Sequence, residues 1–203
     1  MDIKARMTDI IEKEAAAIRA IRVTDAFVEA VSLLHSCNGK VVTTGIGKAG
    51  YIANKFAATM SSTGTSSFFV HPAEAGHGDL GMLSEEDCIV AFSTSGKSNE
   101  VLEMLNNASR NLNINTVIGI TSHMDSPLRD LSKIVLDMGS DIEEPCPINI
   151  TPSATIAVML AISDALALTL MELKNFTASD YHARHHKGYL GSVTRPAPNY
   201  GNS

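Results

Sequence analysis

Cys88-Ile89-Val90-Ala91-Phe92 runs directly into Ser93-Thr94-Ser95-Gly96-Lys97-Ser98 and then into a helix-length segment, and this junction decides the fold class. Five apolar residues without polar alternation suit a strand covered on both faces. Four similar runs lie outward from it: Lys40-Val-Val-Thr-Thr44, Ser67-Phe-Phe-Val70, Thr116-Val-Ile-Gly-Ile120 and Ile134-Val-Leu136. Helix-length segments separate them, at Lys48 to Ser62, Ser98 to Asn111 and, more briefly, after Ser126-Pro127. The pattern predicts a three-layer α/β/α sandwich on a five-stranded parallel sheet.

The flanks complete the outline. Ile3, Met7, Ile10, Ile11, Ile18, Ile21, Val28, Val31 and Leu34 recur at helical spacings and predict one or two amphipathic helices ending near Asn38-Gly39. Pro152 to Met171 is almost wholly apolar, yet Asp164 sits in its middle, so a buried core or subunit-interface helix is expected rather than a membrane span. Thr151 is the expected N-cap of that helix and Pro152 its first residue. A last helix is expected from Thr177-Ala-Ser-Asp180, followed by a poorly ordered tail from Gly191. The organisation expected is leading helices over 1–38, one domain over 39–191 and a tail over 192–203, with no internal repeat or linker.

Composition narrows the partners. A net charge of −6 leaves no basic footprint, which argues against duplex nucleic acid or an anionic membrane as the main partner. Three cysteines at wide spacings form neither a metal pair nor an even disulfide framework and suit a reducing compartment. Asp2, Lys4, Arg6, Asp9 and Glu12 stand where a signal peptide needs an apolar run, so a cytoplasmic location is expected.

In an open parallel sheet the ligand sits beyond the carboxyl ends of the strands. The Ser93 to Ser98 loop offers hydroxyls, a glycine and free amides at the positive end of a helix, a cradle for a phosphomonoester. It lacks the Gly-x4-Gly-Lys-Ser/Thr spacing of a nucleotide-hydrolysing loop, and its bland alternative is an ordinary helix cap. Gly45-Ile-Gly-Lys-Ala-Gly50 formally meets Gly-x-Gly-x-x-Gly, but Val70-His71 stand where a ribose-binding acid would end the second strand. Lys48 in that turn is more telling, because a cation there can face a sugar hydroxyl or a developing oxyanion.

His71, Glu74, His77 and Asp79 crowd one glycine-rich loop, but their spacing fits no standard metal motif, so no metal is expected. His182, His185 and His186 are candidate general acid/bases near neutral pH, or a solvated helix face.

Taken together, Gly45-Ile-Gly-Lys-Ala-Gly50, Ser61-Ser-Thr-Gly-Thr65, Phe68-Phe-Val-His-Pro72, Glu74-Ala-Gly-His-Gly-Asp-Leu-Gly-Met82, Ser93-Thr-Ser-Gly96, Glu144-Pro-Cys-Pro147, Thr151-Pro-Ser153, Ser163-Asp-Ala-Leu-Ala167 and Phe176-Thr-Ala-x-Asp180 closely resemble the sugar isomerase (SIS) domain of D-arabinose 5-phosphate isomerases. The resemblance runs from about Asn38 to Gly191 and is to a form without CBS domains. It implies a flavodoxin-like SIS fold and interconversion of D-ribulose 5-phosphate and D-arabinose 5-phosphate through a cis-enediol(ate). That reaction is the first step toward Kdo for lipopolysaccharide or capsule.

By the same resemblance Lys48, Glu100, Glu144 and His185 are the catalytic candidates, with His185 or Glu100 as proton shuttle, Lys48 at the oxyanion and Glu144 in a supporting or ring-opening role. Gly47, His77, Ser93, Thr94, Ser95, Ser98 and His186 are the substrate-binding set. Lys97 adds a cation beside the phosphate loop. The resemblance also implies a homotetramer with active sites shared between subunits, no organic cofactor, and feedback by CMP-Kdo, if any, at the active site. Two other functions remain open: a SIS isomerase for another phosphosugar, such as a hexulose 6-phosphate, and a non-catalytic phosphosugar sensor.

Overall fold

A computed structural model describes residues 1–195 of the chain. Its centre is a sheet of five parallel strands, β1 (Val41–Gly45), β2 (Ser67–Phe69), β3 (Cys88–Phe92), β4 (Val117–Thr121) and β5 (Ile134–Asp137), in the order β2-β1-β3-β4-β5. Val41 aligns with Ser67 on one side and Cys88 on the other, and Ile118 aligns with Ile134 at the far edge. Every residue of β1, β3 and β4 is buried, which is why β3 reads as an unbroken apolar run; β1 also buries Thr43, whose hydroxyl donates to the Ala53 carbonyl at 2.8 Å.

Alternation along the strands sorts side chains into two cores. Val41, Cys88, Val90, Phe92, Ile118 and Ile120 pack with α2 (Asp25–His35), α3 (Gly47–Ser62) and α7 (Ala154–Leu173). Val42, Ile89, Ala91 and Val117 pack on the opposite face with α4 (Pro72–Ala75), α5 (Asn99–Leu112) and α6 (Pro127–Asp130). The three layers are those the sequence predicts.

The leading segment forms two helices, α1 (Ile3–Arg19) and α2, broken between them at 20–24. α2 buries Phe27, Ala30 and Leu34, whereas α1 buries nothing and lies along α7. The apolar helix α7 is long enough to cross a membrane by length and composition, but half of its apolar window is buried inside this fold. Its Asp164 pairs at the surface with Lys55 of α3.

The start of α7 differs from expectation. The helix begins at Ala154 with Ser153 as N-cap, and no side chain of the cap residue bonds the helix; Thr151-Pro152 lie outside it. A carboxylate from a distant loop supplies the acceptor instead, as described below. At the other end, α8 (Ala178–Arg184) has the expected capping box, Thr177 and Asp180 each bonding the other's backbone.

A second correction concerns the tail. A ninth helix, α9 (Gly188–Val193), carries the chain past Gly191, which is buried against the His185 and His186 backbone so closely that any side chain would overlap it. The remainder of the predicted tail, 196–203, lies outside the described residues.

Candidate active site

The chain steps from β1 out to β2 and then back across to β3, so the crevice of this sheet lies beyond the carboxyl ends of β1 and β3. The two loops singled out in the sequence both emerge there. After β1, Gly47 opens α3 with φ +61°, a left-handed conformation that glycine adopts without strain, and no atom would crowd a side chain there. A Cβ on Gly50 would come 2.6 Å from the Gly45 carbonyl oxygen. The glycine pattern therefore serves a tight turn, and Lys48 stands exposed on the first turn of α3.

After β3, the hydroxyls of Ser93 and Ser98 lie 3.0 Å apart, and the Ser95 hydroxyl accepts from the Lys97 amide at 3.2 Å. Gly96 has φ +63° and sits so tightly against Ser126 that a Cβ would collide with it. The loop is pinned from the next strand, since the Thr94 carbonyl accepts from both the Ser122 amide and the Thr121 hydroxyl at 3.0 Å, and the Leu128 amide donates to the Gly96 carbonyl at 3.1 Å. Ser98 then caps α5 without a side-chain bond of its own, leaving the first-turn amides of a 14-residue helix facing the loop. Hydroxyls and helix amides thus converge in a loop of the shape and polarity an anion requires.

The sequence reading missed three hydroxyls beside it. Thr44, Ser122 and Ser126 are buried, and none of their hydroxyls has a partner among the described residues. They lie at the end of β1 and just after β4, where the rule that ligands gather beyond strand ends already points. An unpaired buried hydroxyl costs about 1–3 kcal/mol, which a polar ligand or water can offset.

His77 and Glu100 meet in a cavity of about 360 Å³ between the α4 segment and α5, together with Leu80, Glu103, Met104 and Asn107. A second cavity of about 620 Å³ lies between α1 and the β5–α7 loop, where Lys13 and Arg22 face Asp137, Asp141 and Glu143. It contains none of the expected site residues. Among the described residues no group of three or more His, Cys, Asp or Glu is arranged to hold a metal ion.

Glu144 is buried at the carboxyl edge, where its carboxylate accepts from the Ser153 and Ala154 amides at 2.7 Å, the Thr155 amide at 3.3 Å and the Thr155 hydroxyl. It is the true N-terminal acceptor of α7. Its own amide donates to the Asn149 side chain at 2.7 Å, closing the intervening loop. In that loop the Ile150 and Thr151 amides donate to Cys146 Sγ at 3.3 and 3.2 Å and lower the thiol to about 7, since they favour the thiolate. α1 braces the same loop, Arg6 donating to the Pro145 carbonyl and Ser153 to Glu14.

His185 is placed elsewhere. Lys174, at the end of α7, donates to Thr65 at 2.8 Å, and Phe176 packs on Gly64, so α8 begins at the amino edge of the sheet. Sixteen residues make α3 about 24 Å long, which separates that edge from Lys48, and α8 spans only about 10 Å. His185 stacks on Tyr181 with ring centroids 4.1 Å apart, and His186 is exposed beside it. One chain thus brings Lys48 and the Ser93–Ser98 cradle to one end of the sheet and the two histidines to the other.

Residues 33–169 match the family model of the SIS domain. The chain is 43% identical over 187 residues to the arabinose 5-phosphate isomerase KdsD of Pseudomonas aeruginosa, covering 92% of this chain and 56% of that protein. It spans little more than half the length of the curated relatives it matches. Among solved structures, a candidate phosphosugar isomerase of Bacteroides fragilis involved in capsule formation superposes with a TM-score of 0.88 at 40% identity, covering 92% of this chain and 99% of that one. A protein of Escherichia coli CFT073 in complex with A5P superposes with a TM-score of 0.86 at 35% identity, covering 91% and 97%.

Proposed function

The chain belongs to the SIS domain family, and from that premise we propose that it is an aldose–ketose isomerase interconverting D-ribulose 5-phosphate and D-arabinose 5-phosphate. The observation that carries this reading is the pinned Ser93–Ser98 cradle at the positive end of α5, facing a lysine turn across the crevice of the sheet. Ser93, Thr94, Ser95 and Ser98 hold the phosphate, and the bare backbone of Gly47 lets the sugar approach. Binding energy spent on the phosphate fixes the reacting carbons.

From ketose to aldose a base removes a proton from C1, the carbonyl oxygen at C2 gains negative charge and takes up a proton, and the resulting cis-enediol(ate) loses the O1 proton as C2 is protonated. Lys48 stabilises the developing oxyanion. Glu100, which shares a cavity with His77, or His185 shuttles the proton. Because His185 sits at the amino edge of its own chain, it serves the crevice of another subunit. Glu144 supports the site by holding the start of α7 and the loop before it.

A homotetramer with shared sites fits this arrangement, and α1 offers a face for it: Ile3, Met7 and Ile11, spaced four apart, are each at least 60% exposed. The free thiols fit a cytoplasmic location, and the product feeds Kdo synthesis for lipopolysaccharide or capsule. A feedback ligand such as CMP-Kdo would act at the same anion cradle.

The deciding experiment incubates the protein in deuterium oxide with a panel of pentose and hexose phosphates and follows C2 by NMR. Deuterium entering C2 of arabinose 5-phosphate, with ribulose 5-phosphate formed, is the expected result. Turnover confined to a hexulose 6-phosphate moves the reading to another isomerase of the family. Binding without exchange makes the protein a sensor.

A further inference from the structure

Cys37 and Cys88 are 51 positions apart in the sequence, yet the fold packs both in one core and against one carbonyl, that of Lys40. Cys37 follows the end of α2, and its Sγ lies 3.7 Å from the Lys40 carbonyl oxygen and 3.6 Å from that of Glu86. The Cys88 amide donates to the same Lys40 oxygen at 3.0 Å, and the Gly39 amide to that of Glu86 at 3.1 Å. Two carbonyls therefore seat the Cys37 sulfur over the first residue of β3. Both thiols are free, Cys37 half-buried and Cys88 only 3% exposed.

The two thiols differ in access, a half-buried Cys37 packing on the core that contains the buried Cys88. Burial and the neighbouring Cys37 push the Cys88 thiol up and hold it protonated. A half-exposed thiol with a buried partner thiol behind it is the arrangement of an attacking and a resolving cysteine.

We propose that Cys37 and Cys88 form a redox-active pair that closes to a disulfide when a hydroperoxide reaches Cys37. The Cys37 sulfur attacks the terminal peroxide oxygen, the O–O bond breaks, and Cys37 becomes a sulfenic acid with release of water or alcohol. The Cys88 sulfur then displaces the hydroxyl from Cys37, and the Cys88 proton leaves with it as a second water. The two thiols together lose two electrons and two protons to one peroxide. The bond encloses residues 38–87, which include β1, α3 and β2, and it forms at the amino edge, at the end of the sheet away from Lys48 and the Ser93–Ser98 cradle. The cross-link therefore acts on stability and leaves the crevice in place.

The test treats the folded wild-type protein with hydrogen peroxide, alkylates the remaining thiols and maps them by mass spectrometry after digestion without reductant. The expected product is a Cys37–Cys88 peptide pair two hydrogens lighter than its reduced parts, reversed by dithiothreitol and absent in Cys37→Ser. Oxidation is expected to raise the wild-type Tm by about 5–10 °C and leave that of Cys37→Ser unchanged. Cys37→Ser is the deciding variant, because its side chain is half-exposed and its folding can be checked independently. The proposal is overturned if Cys37 and Cys88 both remain alkylatable after peroxide has consumed Cys146, if Cys37 reaches sulfinic acid while Cys88 stays free, or if the link joins two chains.

Discussion

Removing the Glu144 carboxylate should unfasten α7. Three backbone amides and one hydroxyl at the start of this 20-residue helix donate to it, and Glu144 is only 8% exposed, so water cannot replace it freely. Losing a helix cap costs about 0.5–2 kcal/mol, and each donor left buried without an acceptor costs about 1–3 kcal/mol. These terms overlap because the donors share one carboxylate, so we expect Glu144→Ala to lose about 3 kcal/mol. Glu144→Gln keeps one acceptor oxygen but turns an NH2 toward the helix amides, and should lose about 1.5 kcal/mol. For a domain of this size the alanine variant then melts about 6–12 °C lower. Urea unfolding at fixed protein concentration measures the loss, and kcat well below Tm separates it from chemistry. If Glu144→Ala unfolds within about 0.5 kcal/mol of wild type, or if Glu144→Gln loses kcat while keeping full stability, the capping role is wrong and the carboxylate acts on the substrate.

Lys48→Met should lower kcat/KM by about 10²–10³ while moving stability by less than about 0.5 kcal/mol, because Lys48 is exposed and unpaired among the described residues; steady-state kinetics and thermal melts check both. Gly96→Ala places a Cβ against Ser126 at a positive φ, so the cradle must shift and KM should rise at least tenfold with a smaller change in kcat. Iodoacetamide should label Cys146 with a midpoint near pH 7 in the folded protein and near 9 in urea. Since folding lowers this thiol, its contribution to stability is complete above the unfolded value and fades as pH falls through about 7; a labelling midpoint unchanged by urea contradicts the loop geometry. Lys48→Met and His185→Ala, each strongly impaired alone, should regain part of the activity when refolded together, since mixed oligomers then contain some sites with both intact groups. No recovery in demonstrably mixed oligomers removes the shared site.

The layers and the crevice were legible because their determinants are local. β1, β3 and β4 are buried on both faces, so their residues lack a regular polar alternation, and the residues after β1 and β3 could be placed at the ligand edge by the parallel sheet alone. Thr151-Pro152 misled for the same reason: it is a sound local start signal, but Glu144 reaches the helix first from outside the local pattern. The order of α9 was hidden likewise, since it depends on Gly191 fitting against the chain that precedes it.

What the sequence determined by itself was the class of fold, the hydroxyl-rich loop after β3 and the lysine turn after β1, because hydrophobic burial and turn sterics act over neighbouring residues. Only the tertiary structure decided that His185 stands at the opposite edge from Lys48, that Glu144 is bound to α7, and that Cys37 packs on the core that contains Cys88. Each of these depends on contacts between residues far apart in the chain, and such contacts exist only once the two cores have packed.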